Sequence, residues 1–152
     1  MNLKQFIDRR NMIADCDATS KEETIKQLAG HLHANGCLFD ADAFLAAVRE
    51  REAHCTTGIG GGVAIPHGKT SAVKQTSVAV AKLSNGVDWQ AMDEKPVNLV
   101  FLLAVQETDA ADTHLRLLQE IAIKLMDDAI VAALHQAATT EDILLALEMD
   151  PG

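Results

Sequence analysis

The chain has 152 residues, 48% of them hydrophobic, and a net charge of −9. That length suits one domain, residues 1–152, with a core large enough to hold it. The acidic balance disfavours nucleic acid and anionic membrane surfaces, and four Phe, one Trp and no Tyr leave no stacking platform for bases.

Residues 1–10 mix Lys, Asp and Arg with apolar residues and lack the apolar centre of a signal peptide. No run of 18 apolar residues exists, so no membrane insertion is expected. Residues 11–15 read as a short edge strand or an entry segment. Ser20 with Glu23 three residues on is a capping box. Ile25, Leu28, Ala29 and Leu32 follow at helical spacing, and Asn35-Gly36 is a stop, which predicts a helix over 21–35. Asp40 caps a second helix whose inward positions are Ala41, Phe44, Leu45 and Val48. The same spacing puts Arg51 on the inward stripe. Two readings fit it: a stem lying along apolar surface or in a surface salt bridge, or a guanidinium aimed at an anion site.

The next stretch, 56–69, orders the chain around it. Gly58, Gly60, Gly61 and Gly62 crowd five positions, Val63-Ala64-Ile65 forms a short apolar run, and His67 stands between Pro66 and Gly68. Glycine admits positive φ and close approach. Proline fixes φ and lacks a donor, so Pro66 is expected to end a strand. His67 is therefore expected at a sheet edge, with glycine N–H groups beside it to suit an anion.

Farther on, 77–83 alternates as a strand, and Asn85-Gly86 signals a turn. Residues 87–90 are a short extended piece carrying Trp89, and 93–96 is another turn. The nearly unbroken apolar run 97–105 predicts a central strand covered on both faces. A polar loop over 106–113 leads to a helix with Leu118, Ile121, Ala122 and Leu125 on one face. His114 is on that face too, in the first turn. Asp127 and Thr140 cap two last helices, about 128–137 and 141–148. The pattern predicts an α/β fold, a mixed sheet flanked by helices on both faces.

Three cysteines, Cys16, Cys37 and Cys55, are odd in number and form no CxxC. Free thiols in a reducing, cytoplasmic setting are expected. Among six histidines, His31, His33 and His135 fit a helix surface. His54, Cys55 and His67 match no zinc spacing, and nothing marks Cys55 as a nucleophile. Gly68-Lys69-Thr70 is not a phosphate-binding P-loop, and Gly58-x-Gly60 lacks the strand-before, helix-after setting of a dinucleotide fingerprint. His67 is the histidine whose neighbours on both sides are chosen for backbone geometry.

The run 57–68, Thr-Gly-Ile-Gly-Gly-Gly-Val-Ala-Ile-Pro-His-Gly, resembles the active-site signature of the EIIA (IIA) components of the bacterial phosphoenolpyruvate:sugar phosphotransferase system (PTS), fructose/mannitol class. The resemblance extends over nearly the whole chain. It takes in Arg51-Glu52, the strand from Val97 and Thr113-His114-Leu115. Residues 87–93 with 95–97 look most like the fructose branch. Gly61 and Gly62 depart from it, since one of those places is often polar, and Cys55 stands where a small polar residue is common.

The resemblance implies a mixed sheet of about five strands. It implies that His67 accepts a phosphoryl group from phospho-HPr or an HPr-like domain and passes it to a cysteine of an EIIB domain, with the EIIC membrane component engaged indirectly. It implies Arg51 and His114 as neighbours of that phosphoryl group, and neither cofactor nor metal. The alternative is a nitrogen-type regulatory EIIA, which acts on partner proteins according to its phosphorylation state. A hydrolase using His67 as base is a third reading without a nucleophile to support it.

Overall fold

The computed structural model describes residues 3–109 and 111–152; Ala110, in the predicted polar loop, lies outside them, as do Met1 and Asn2. The elements are β1 (Ile7–Cys16), α1 (Lys21–Ala34), α2 (Ala41–His54), β2 (Gly58–Gly60), β3 (Val63–Ala64), β4 (His67–Thr70), β5 (Ser77–Val87), β6 (Val97–Gln106), α3 (Ala111–Leu125), α4 (Asp128–Gln136) and α5 (Thr140–Glu148).

The sheet is built around β6. Val97 and every residue from Leu99 to Val105 are buried, as expected of a strand covered on both faces. The strand order is β1-β5-β6-β3-β2, with β4 also paired to β6. β1 runs parallel to β5, β5 antiparallel to β6, and both β3 and β4 parallel to β6. β3 pairs with Leu99 and Val100, and β4 with Leu103 to Gln106. These two strands share one flank of β6, so six strands fill five positions.

Alternation along the strands sorts side chains into two layers. Ala79, Ala81, Val100, Leu102 and Ala104 pack against α1 and α2 through Leu28, Leu32, Phe44 and Val48. Val78, Val80, Leu99, Phe101 and Leu103 pack against α3, α4 and α5 through Leu117, Ile121, Ile130, Leu134 and Ile143. Each Val, Leu, Ile or Phe among them contributes roughly 1.5–3 kcal/mol on full burial. Helices therefore flank both faces of a mixed sheet.

Several local expectations shift. β1 has ten residues rather than five; outward Arg9 and Arg10 hide its pattern, as charged residues do on edge strands. The Ser20 hydroxyl accepts from Glu23 N–H at 3.1 Å, but the Glu23 carboxylate reaches Thr19 instead of the Ser20 N–H. Asn85-Gly86 makes no turn: both lie inside β5, where a Cβ on Gly86 would stand 2.6 Å from Pro96 Cβ. On α3 the buried positions are Leu117 and Ile121, while Leu118 and Leu125 flank them and Ala122 is exposed. The buried stripe is thus centred on Leu117 and Ile121 rather than on Leu118 and Ala122. α4 is capped by Asp127 as expected, but the cap of α5 is Thr139, in a reciprocal box with Asp142.

Candidate functional site

Pro66 interrupts the strand for only two residues. β3 ends at Ala64, and His67 opens β4, paired with Leu103. The expected strand end is thus a break between two strands on one line. β4 pairs with β6 alone, so among the described residues its other side faces no strand. At such an edge, side chains from both helical layers can meet.

Gly68 makes that possible. A Cβ there would lie 3.0 Å from Val48 Cγ2 and 3.1 Å from Phe44 Cε1, so glycine lets α2 lie directly on β4. The last turn of α2 then brings Arg51 to the edge. From the other layer, the first turn of α3 brings His114. Arg51, His67 and His114, widely separated in sequence, share one open cleft with Ala47, Glu50, His54 and Lys69.

The bonds at His67 define its tautomer. Nδ1–H donates to the Ile65 carbonyl at 3.1 Å. Nε2 accepts from Arg51 Nε–H at 3.2 Å. A neutral ring satisfies both only with its proton on Nδ1, which leaves the Nε2 lone pair facing the guanidinium. Arg51 Nη1 also donates to the Cys55 carbonyl at 2.9 Å, which fixes the fork. Arg51 thus points into the cleft, with its Nε–H on His67. The His114 ring meets His67 edge-on, with centroids 4.5 Å apart and planes at 63°.

Burial disfavours the charged form of both rings. Burial lowers the His67 pKa, and the Arg51 charge adds to that, against the Ile65 carbonyl and Glu52, which raise it. Burial, then His67, Lys69 and Arg51, push His114 down to about 4. His114 Nε2 is buried with no hydrogen-bond partner among the described residues. Two uncharged imidazoles beside a cation form a site suited to an arriving anion.

The glycines do not contribute as expected. Gly60, Gly61 and Gly62 have φ of 99°, 67° and 79° and turn β2 into β3. That turn lies by Asn98, at the start of β6, whereas His67 lies by Leu103. The separation is roughly 16 Å along the strand. The Gly61 N–H is moreover taken by the Asp93 carboxylate at 3.0 Å. Among the described residues, no glycine N–H cluster faces His67.

Sequence reasoning missed a buried cluster behind the site. Trp89 Nε1–H donates to Thr57 Oγ1 at 3.1 Å, and the Thr57 hydroxyl donates to the Glu52 carboxylate. Lys21 Nζ pairs with the other Glu52 oxygen at 3.1 Å. These four residues are scattered over the first 89, and no spacing rule joins them. The remaining histidines His31, His33 and His135 are exposed on helices. Cys16, Cys37 and Cys55 are free thiols. No cluster of three His, Cys, Asp or Glu among the described residues is placed to hold a metal.

Residues 5–149 match the family model of the phosphoenolpyruvate-dependent sugar phosphotransferase system, EIIA 2. The chain belongs to this EIIA family. It is 38% identical over 128 residues to the PTS system fructose-specific EIIA component of Haloferax volcanii, covering 82% of each. It is 39% identical over 149 residues to the PTS system 2-O-alpha-mannosyl-D-glycerate-specific EIIABC component of Escherichia coli, covering 97% of this chain. The EIIA chain spans only 23% of that longer relative and 22% of the fructose-specific EIIABC component of Bacillus subtilis. Among solved structures, the nitrogen regulatory protein IIA-Ntr from Neisseria meningitidis superposes with a TM-score of 0.85 at 29% identity, covering 94% of this chain and 97% of that one. The E. coli complex of IIA and phosphorylated IIB for mannitol gives 0.78 at 21% identity, covering 93% and 98%, which shows a shared fold. EIIA domains are phosphotransferase components, so phosphoryl transfer is the chemistry of this chain's family. No described helix is long and apolar enough to cross a membrane.

Proposed function

We propose that the chain, a single EIIA domain, is a cytoplasmic phosphocarrier. His67 takes a phosphoryl group from phospho-HPr or an HPr-like domain and gives it to a cysteine of a fructose-type EIIB, coupled through EIIC to sugar entry. The observation that carries this reading is the His67 tautomer: Nδ1–H tied to Ile65, Nε2 free of a proton and facing Arg51.

The steps follow from that geometry. The Nε2 lone pair attacks phosphorus as the donor's P–N bond breaks, and the donor ring leaves with the electron pair. Phosphoryl transfer asks chiefly for alignment and for stabilisation of the equatorial oxygens. Arg51 moves from Nε2 to those oxygens, offering a fork of donors. His114 stands ready to donate a hydrogen bond to them, at the N-terminal end of a helix that favours negative charge. In the outward step the EIIB thiolate attacks phosphorus, the P–Nε2 bond breaks, and neutral His67 is restored.

A regulatory reading is supported by the likeness to the nitrogen regulatory IIA-Ntr. In it His67 is phosphorylated in the same way, but the outcome is binding to a partner protein. Labelled phospho-HPr separates the two. Label should enter the chain, map to His67 and pass to a fructose-type EIIB. Label that enters and never leaves for any EIIB selects regulation, and label on another residue removes the proposal.

A further inference from the structure

Thr57 and Glu52 lie outside the reacting set, yet a continuous set of bonds joins them to His67. The Thr57 hydroxyl is held between the Trp89 Nε1–H donor and the Glu52 acceptor, so its rotor has one setting. The Thr57 carbonyl accepts the Ile65 N–H at 3.0 Å. The Ile65 carbonyl accepts the His67 Nδ1–H at 3.1 Å. Glu52 follows Arg51 on the last turn of α2, and its side chain is 8% exposed with Lys21 on its second oxygen. One cluster therefore fixes both the carbonyl that sets the imidazole tautomer and the helix end that carries the guanidinium.

We infer that Thr57 and Glu52 are positioning residues for phosphoryl transfer: they hold the Ile65 carbonyl and the Arg51 helix turn so that His67 keeps its proton on Nδ1 and presents Nε2. The inference rests on the proposed role of His67. Thr57 is buried, and removing its hydroxyl leaves the Trp89 donor and a carboxylate oxygen unpaired. The loop would then relax, and the Ile65 peptide with it. An imidazole without a fixed Nδ1 partner shares its proton between two nitrogens.

The test compares Thr57→Val with Thr57→Ser in the full chain. Two quantities are read: the His67 tautomer from ring-nitrogen chemical shifts, and phosphorylation by phospho-HPr split into kcat and KM. Thr57→Val should move His67 to a mixed tautomer and lower kcat by about ten- to hundred-fold with KM little changed, as for a misplaced reacting group. Thr57→Ser should restore both. Should Thr57→Val fail to fold, Glu52→Gln carries the same test: it keeps an acceptor oxygen but loses charge, and a smaller tautomer shift with about three- to ten-fold slower transfer is expected. A wild-type tautomer and rate in whichever variant folds would overturn the inference. The tautomer is measured without any phosphoryl donor. A wild-type protein that phospho-HPr never labels would sink the proposed function and leave this readout intact.

Discussion

Among the residues, Arg51 and His67 bear most directly on the proposed transfer. Their 3.2 Å bond sets the guanidinium against Nε2, the atom proposed to take the phosphoryl group. His67→Ala should abolish phosphoryl uptake, read as absence of label. Arg51→Ala should slow uptake by about 10²-fold, near 2.7 kcal/mol of transition-state stabilisation. Arg51→Lys should recover little, because a point charge cannot supply the fork that also binds the Cys55 carbonyl. The pH profile supplies an independent check. The His67 pKa is lowered, first by burial and then by Arg51 among its causes. The ring therefore stays unprotonated and nucleophilic below the ordinary histidine range of about 6.5. The acid limb of the phosphorylation rate should fall at a pH below that range. Removing the nearby cation in Arg51→Gln should move the limb upward, toward the ordinary value but short of it, since burial remains. A limb at the free-histidine value in the parent protein would contradict the neutral site.

At the scale of elements, the sequence was most readable where one residue type has one use. The unbroken apolar run of β6, the caps Asp40 and Asp127 and the inward stripe of α2 all follow from local chemistry. His67 and Arg51 were legible for the same reason: a histidine between Pro66 and Gly68, and a charge on an apolar stripe. His114 was placed on the right helix face even though the centre of that face lies at Leu117. The Trp89–Thr57–Glu52 cluster was hidden because its bonds join a helix end, a loop start and a segment after β5. Such bonds have no period. The glycine turn was misjudged for a related reason: its composition shows that positive φ is needed, not which way the hairpin points. That difference can be tested. Gly62 has φ of 79°, and a Cβ there would lie 2.8 Å from Asn98 Oδ1. Gly61 has φ of 67° and open space around it. Gly62→Ala should cost about 1–3 kcal/mol. Gly61→Asn should be close to neutral, because asparagine visits the left-handed region readily. Both melts are read by thermal unfolding. Both variants that fold should accept phosphoryl groups at the parent rate, since the turn is remote from His67. A selective loss of rate in Gly61→Asn would restore the glycines to the site.

For the whole molecule, the site is a standing liability in acid. The folded protein holds His114 with a pKa of about 4 and His67 below its ordinary value, because their surroundings exclude charge. In the unfolded chain both titrate near 6.5. Below that pH the unfolded chain binds protons that the folded chain refuses, so stability falls as pH falls. For His114 the loss begins near 6.5 and is complete near 4. Carboxylates open a second, lower window. Asp93, Asp127 and Asp142 have lowered pKa values because backbone N–H groups bond to them, so their contributions are lost only as pH drops below the ordinary range of about 4. The two windows are separable by substitution. His114→Gln removes one titrating ring while keeping a polar side chain of similar reach. The melting temperature of the parent should fall between pH 7 and pH 5, at roughly 2–4 °C for each kcal/mol in a chain of this size. In His114→Gln that decline should be shallower, while the steeper loss below pH 4 should persist in both proteins. The same liability favours the chemistry. A phosphoryl dianion placed on His67 supplies the negative charge that the pair lacks, and it raises the pKa of His114 beside it. The phosphorylated protein should therefore lose less stability between pH 7 and pH 5 than the free protein, and scans of the two forms at matched pH would reveal a crossing or its absence.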